Sequence, residues 1–68
     1  MKNNQKKKGV DIHFNVGNAA FRLDDERLDM ISVGLKVVQI GNRIAAGERS
    51  GSIIDVNGNK VGEFSVKD

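Results

Sequence analysis

The chain has 68 residues, 38% hydrophobic and 29% charged, with a formal net charge of +2 and no Cys, Pro, Trp or Tyr. That length allows one domain with a small core, a size at which disulfides, metal or oligomerisation commonly supplement packing. Without Cys there is no disulfide and no thiolate zinc site, and a single His excludes a multi-histidine metal site within one chain, so oligomerisation is the supplement left.

The charge is unevenly placed. Lys2, Lys6, Lys7 and Lys8 make the first eight residues strongly basic, and the remainder carries seven Lys/Arg against nine Asp/Glu. The basicity belongs to a tail, not to the body. Residues 1–8 show no apolar periodicity and read as a disordered arm, and residues 9–68 read as the single domain. Such an arm is either a solvated terminus or a salt-sensitive phosphate binder.

Val10 to Val16 alternates without error, with Val10, Ile12, Phe14 and Val16 on one face and Asp11, His13 and Asn15 on the other. This is a half-buried strand. His13 is on its polar face with no partner legible in the sequence. Gly17 and Asn18 are turn formers. Ala19, Ala20 and Phe21 are too apolar for a free loop, and Phe21 is expected to plug one end of the core.

Asp24 to Gly47 is the one stretch long enough for a substantial helix. Asp24 reads as its N-cap, with Asp25 and Glu26 in the first turn and a Leu23–Leu28 hydrophobic staple. Gly47 stands where a left-handed C-cap residue is wanted. At roughly 100° per residue, Asp29, Ser32, Lys36, Gln39 and Arg43 form a narrow polar stripe, and apolar residues cover the rest. That arc is about twice the width of an ordinary surface helix's stripe. Gly34, Gly41 and Ala45 lie near its middle, although each interior glycine costs about 1 kcal/mol of helix propensity. Two readings stand open: the glycines clear space for Phe14 or Phe64, or they mark helix-to-helix contact in a dimer through Met30, Gly34, Val37, Gly41 and Ala45.

Two short strands, Ser52–Val56 and Lys60–Val66, flank Asn57-Gly58-Asn59, a strong hairpin signal. A two-residue loop would put Ile54 opposite in face to Phe64. A three-residue loop puts Ile54, Phe64 and Val66 together inside and leaves Ile53 and Val61 as an outward apolar contact patch. The second register is expected, because a one-residue slip exposes Phe64. Gly62 allows close approach or marks a bulge. The order β-α-β-β implies an α+β fold: one long helix on a three-stranded, mainly antiparallel sheet of order 1-3-2. A right-handed parallel crossover beside the second strand is the alternative. The open sheet edges offer a second route to a dimer.

Chemistry-bearing motifs are few. The glycines at 41, 47 and 51 lack the strand and Lys-Ser/Thr context of a phosphate loop. Asp24-Asp25-Glu26 reads as helix capping, not a cation site. Asp55-Val56-Asn57-Gly58-Asn59 starts like a calcium loop but lacks Gly at the sixth position and Glu at the twelfth. No catalytic residue, cofactor or metal is expected, and no enzyme activity. With no span of membrane length and no signal peptide legible, the expected setting is the cytoplasm.

The runs Asn18-Ala19-Ala20-Phe21, Ala46-Gly47-Glu48, Gly51 and Asp55-Val56-Asn57-Gly58-Asn59-Lys60-Val61-Gly62-Glu63-Phe64, with the acidic stretch between, resemble small uncharacterised proteins common in bacteriophage genomes. The resemblance spans most of Val10 to Val66. It implies an accessory phage protein made inside a bacterium, of a kind that often acts by binding a host protein, antiviral defence components included. It carries over no site residues. The first expectation is therefore a dimeric, non-enzymatic inhibitor of a host protein, with Ile53 and Val61 as partner contacts. The second is a nucleic-acid binder using Lys6, Lys7, Lys8, Lys36, Arg43 and Arg49, although no Tyr or Trp offers a stacking platform. The third is an oligomeric sponge for a small phosphorylated signal held between subunits.

Overall fold

The computed structural model describes residues 8–68. The tail lysines Lys2, Lys6 and Lys7 lie outside the described residues. The chain runs β1 (Gly9–Phe14), a 3-10 turn (Ala19–Phe21), α1 (Met30–Ala45), β2 (Ser50–Ile54) and β3 (Lys60–Lys67). The fold is α+β, with the strands in the order β1-β3-β2 and both pairings antiparallel. No helix among the described residues is long and apolar enough to cross a membrane.

The alternation of β1 becomes a face. Val10 pairs with Val66, Ile12 with Phe64 and Phe14 with Gly62 on one side; Asp11–Ser65 and His13–Glu63 lie on the other. At Gly62 the backbone of β1 lies close against β3. A Cβ there would strike the carbonyl oxygen of His13 and lie 2.6 Å from Phe14 Cα.

The hairpin departs from the expected register. Asp55 starts the turn: its Oδ1 accepts the backbone N–H groups of Asn57 and Asn59, both at 2.9 Å. The Asp55 N–H donates to the Asn59 carbonyl at 2.9 Å, and Gly58 takes the positive φ of 87°. The loop is thus three residues long but begins at Val56, not Asn57. Ile54 pairs with Lys60 while Ile53 pairs with Gly62, so Val61 is the extra residue of a β-bulge. Beyond the bulge the strands follow the register that a two-residue loop would set, with Gly51 opposite Phe64. Ile53 and Val61 are consequently core residues, 1% and 6% exposed, and Ile54 is turned outward at 43%. The expected outward Ile53/Val61 contact patch does not exist.

The helix begins five residues later than expected. Asp24, Asp25 and Glu26 form a tight turn that returns Leu28 to pair with Arg22. Leu23 N–H donates to the Arg27 carbonyl at 2.8 Å, and Glu26 adopts φ 71°. Arg22 holds this loop by donating from Nε to the Val16 carbonyl at 3.1 Å and from Nη1 to the Glu26 carbonyl at 3.2 Å. Asp29 is the true N-cap: its carboxylate accepts Ser32 N–H at 3.1 Å and Ser32 Oγ–H at 2.8 Å. The staple positions become Leu28 and Val33, both packed on the core, while Leu23 is exposed. At the other end Gly47 has φ 103°, Gly47 N–H donates to Ile44 and Glu48 N–H to Arg43. That is a Schellman ending, with Gly47 where the sequence placed it.

The core is small: Phe21, Ile40, Ile53, Val61 and Phe64 are buried. Phe14, Val16, Ala20, Leu28, Val33 and Ile44 pack around them, and Phe21 closes one end with its ring 5.6 Å from that of Phe14. Each buried side chain of this size contributes about 1.5–3 kcal/mol.

Candidate binding surfaces

Two surfaces arise from the way α1 sits on the sheet. Only one flank of its wide apolar arc, Val33, Ile40 and Ile44, meets the core. The polar stripe is half-buried apart from the exposed Gln39. It turns toward the outer edge of β2, where Lys36 Nζ donates to the Ile54 carbonyl at 2.6 Å and Arg43 Nη1 to the Ser52 carbonyl at 2.8 Å. Arg43 also pairs with Glu48 at 2.9 Å and lies 4.8 Å over the Phe64 ring. Gly51 makes room for it: a Cβ there would overlap the Arg43 guanidinium. These two cations cover the backbone of β2, which is one of the ways sheet edges are protected.

The first surface is the remainder of the apolar arc. Met30, Ile31, Val37 and Val38 are exposed, Met30 at 70% and Ile31 at 76%. Gly34, Gly41 and Ala45 lie exposed between them, and a Cβ at either glycine would meet nothing within 4 Å. The reading that these glycines clear space for Phe14 or Phe64 is overturned. The five residues expected at an oligomer interface, Met30, Gly34, Val37, Gly41 and Ala45, all fall on this bare arc.

The second surface borders the arc at Leu35 and runs toward the hairpin. Leu35 and Val56 both line a hollow of about 160 Å³, with Ala20, Phe21, Ser32, Lys36 and Gln39. Lys36 and Gln39 also line the adjoining groove of about 400 Å³ between α1 and β2, together with Asn42, Arg43, Ile53 and Ile54. Neither hollow is lined by a carboxylate. Val56, 83% exposed at the hairpin tip, read from the sequence as the last residue of a strand; the strand ends at Ile54 and Val56 opens the turn. Leu35 was one of many apolar helix positions and carried no separate signal.

The other candidates are dispersed. Lys8 is exposed ahead of β1, Lys36 and Arg43 are turned to the β2 edge, and Arg49 pairs with Asp68 at 2.9 Å. The structure does not gather them into one basic stripe. His13 lies on the outer sheet face, lining with Asn15, Lys60 and Glu63 an open hollow of about 440 Å³. Lys60 donates to Glu63 at 2.8 Å and thereby lowers the Glu63 carboxyl below its ordinary range. Among the described residues, no three or more His, Cys, Asp or Glu are grouped to hold a metal ion.

Asp55 is the one buried charged residue among the described residues, 4% exposed. Asn18 Nδ2 donates to its Oδ2 at 2.9 Å, the first cause of its lowered pKa; the Asn59 and Asn57 amides follow. The carboxylate therefore ties the 3-10 turn to the hairpin tip and sets the floor on which Val56 stands. The Asp-x-Asn-Gly-Asn string announced a turn, but nothing local announced a partner thirty-seven residues away.

Comparison with known protein families, curated proteins and solved structures finds no match.

Proposed function

We propose that this chain is a non-catalytic binding protein that captures and blocks a protein of a bacterial host cell, in the manner the phage resemblance implies. The observation that carries this reading is the flank formed by Leu35, Ile54 and Val56. Apolar side chains stand exposed there around two hollows, and the cations Lys36 and Arg43 are the charged groups in the lining. Apolar anchors beside Lys36, with Arg43 farther along the groove and paired with Glu48, fit a partner segment with one apolar side chain to seat against Val56 and a carboxylate to meet Lys36. Host-cell location and inhibition rest on the resemblance; the flank supplies the means of attachment.

The test is capture from bacterial lysate by the tagged chain, with nuclease, alongside Val56→Asp and Lys36→Glu. A stoichiometric protein held by the parent and lost from both variants supports the reading, provided their circular dichroism matches the parent. A protein retained equally by both variants, or none captured, refutes it.

A second reading has one observation in its favour. Lys36 and Arg43 line the same groove, and its volume lies in the range of small-molecule sites. The groove then takes a small phosphorylated ligand. Titration with a nucleoside diphosphate, followed by amide shifts at Gln39 and Asn42, decides between the two.

A further inference from the structure

The bare arc of α1 raises a separate question from the β2 flank: what covers it. We infer that the occupant is a second copy of this chain, and that the two α1 helices cross antiparallel about a two-fold axis near Val37 and Val38. The two surfaces adjoin at Leu35, one turn from Ile31 and Val38, but the inference does not rest on the proposed function, because it uses none of Leu35, Ile54 and Val56.

The first support is shape. Gly34 and Gly41 are seven residues apart and both face empty space. In an antiparallel pair centred between Val37 and Val38, Gly34 of one chain faces Gly41 of the other, and Met30 faces Ala45. Glycine meets glycine at two symmetric points, and the largest side chain meets a small one. Backbones can then approach at the lower end of the usual interaxial range, about 8–10 Å. A parallel pair would set Met30 against Met30 and leave a gap at Ala45.

The second support is charge. The segment entering α1 carries Asp24, Asp25, Glu26 and Asp29 against Arg22 and Arg27, a net negative end. At the other end Arg43 pairs with Glu48 and Arg49 with Asp68, so that end carries no net charge. Antiparallel crossing sets the negative end of one chain beside the neutral end of the other and opposes the two helix dipoles; parallel crossing sets the two negative ends together.

The third support is area. Complete cover of the exposed parts of Met30, Ile31, Val37 and Val38, 46–76% of each residue, would bury on the order of 1,000 Å² across a symmetric pair, the lower bound for a specific interface. A chain with five buried core side chains gains much of its missing apolar burial this way. Pairing through β2 is the weaker route, because Lys36 and Arg43 already occupy its outer carbonyls.

The experiment combines mass and cross-linking. Light scattering at micromolar concentration should give about twice the chain mass of 7.4 kDa. Gly34→Leu and Gly41→Leu should each weaken association at least tenfold while helix content holds or rises, since leucine favours helix and the space around both positions is open. The chain has no Cys, so introduced thiols are unique. Val38→Cys should form a disulfide dimer. Met30→Cys should cross-link with Ala45→Cys but not with itself. A monomer at 100-fold higher concentration, leucine variants that associate as tightly as the parent, or leucine variants that unfold would each overturn the inference. Self-linking Met30→Cys would overturn the antiparallel arrangement.

Discussion

Replacing Gly62 by Ala should destabilise the protein although the same replacement at Gly34 stabilises it. The added methyl at Gly62 meets the His13 carbonyl oxygen and sits 2.6 Å from Phe14 Cα and 2.7 Å from Phe14 Cβ. Two of those three atoms are backbone, so no rotamer change relieves the clash. β1 must move away from β3, and doing so strains the Asn15 N–H to Val61 carbonyl bond, 2.9 Å long, at the bulge. Overpacking of this kind costs about 1–3 kcal/mol. The loss of unfolded-chain freedom on replacing Gly returns about 0.4–1 kcal/mol. The net expectation is a loss of about 1–2 kcal/mol, which lowers the thermal midpoint of a domain this size by about 5–15 °C. Gly34→Ala meets no atom within 4 Å and should gain about 1 kcal/mol from helix propensity. Both are read by thermal unfolding with circular dichroism, dilute enough that association does not contribute. An unchanged or raised midpoint for Gly62→Ala would refute the close β1–β3 approach.

Two further outcomes follow from the carboxylates. Asp29→Ala should reduce helicity at 222 nm and lower the midpoint by a few degrees, since it removes the acceptor for Ser32, whereas Asp24→Ala should leave helicity unchanged. The reverse order of sensitivity would restore Asp24 as the cap. Asp29, Asp55 and Glu63 all have pKa values below their ordinary 3.8, 3.8 and 4.5. A lowered folded-state pKa means the stabilisation is fully present above the unfolded value and lost as pH falls toward the folded one. Stability should therefore be flat near neutrality and fall below about pH 4.5. Asp55→Asn should be less stable at neutral pH, with a shallower acid decline; an equally steep decline would show that Asp55 does not contribute to it.

By itself the amino-acid sequence determined the features that rest on local chemistry. The uninterrupted alternation from Val10 to Phe14 set the face of β1, because successive side chains on a strand must point to opposite sides. Gly47 marked the helix end, because a left-handed residue is needed there. Asn57-Gly58 placed the hairpin, and the element order with short connections implied the 1-3-2 sheet. Tertiary structure decided the points where two local solutions were nearly equal. Asp24 and Asp29 are both good caps; the Arg22 clamp and the bond from Asp29 N–H to the Phe21 carbonyl, 2.8 Å, selected the second. Two hairpin registers each buried Phe64 or matched the turn. The Asp55 carboxylate and the bulge at Val61 reconciled them, and Ile53 rather than Ile54 went inward. An arc too wide for one small sheet was legible from the wheel, but which part of it stays bare was not. That depends on Lys36 and Arg43 reaching the carbonyls of β2, contacts eighteen and nine residues distant in the chain, which rotate the glycine face of α1 away from the core.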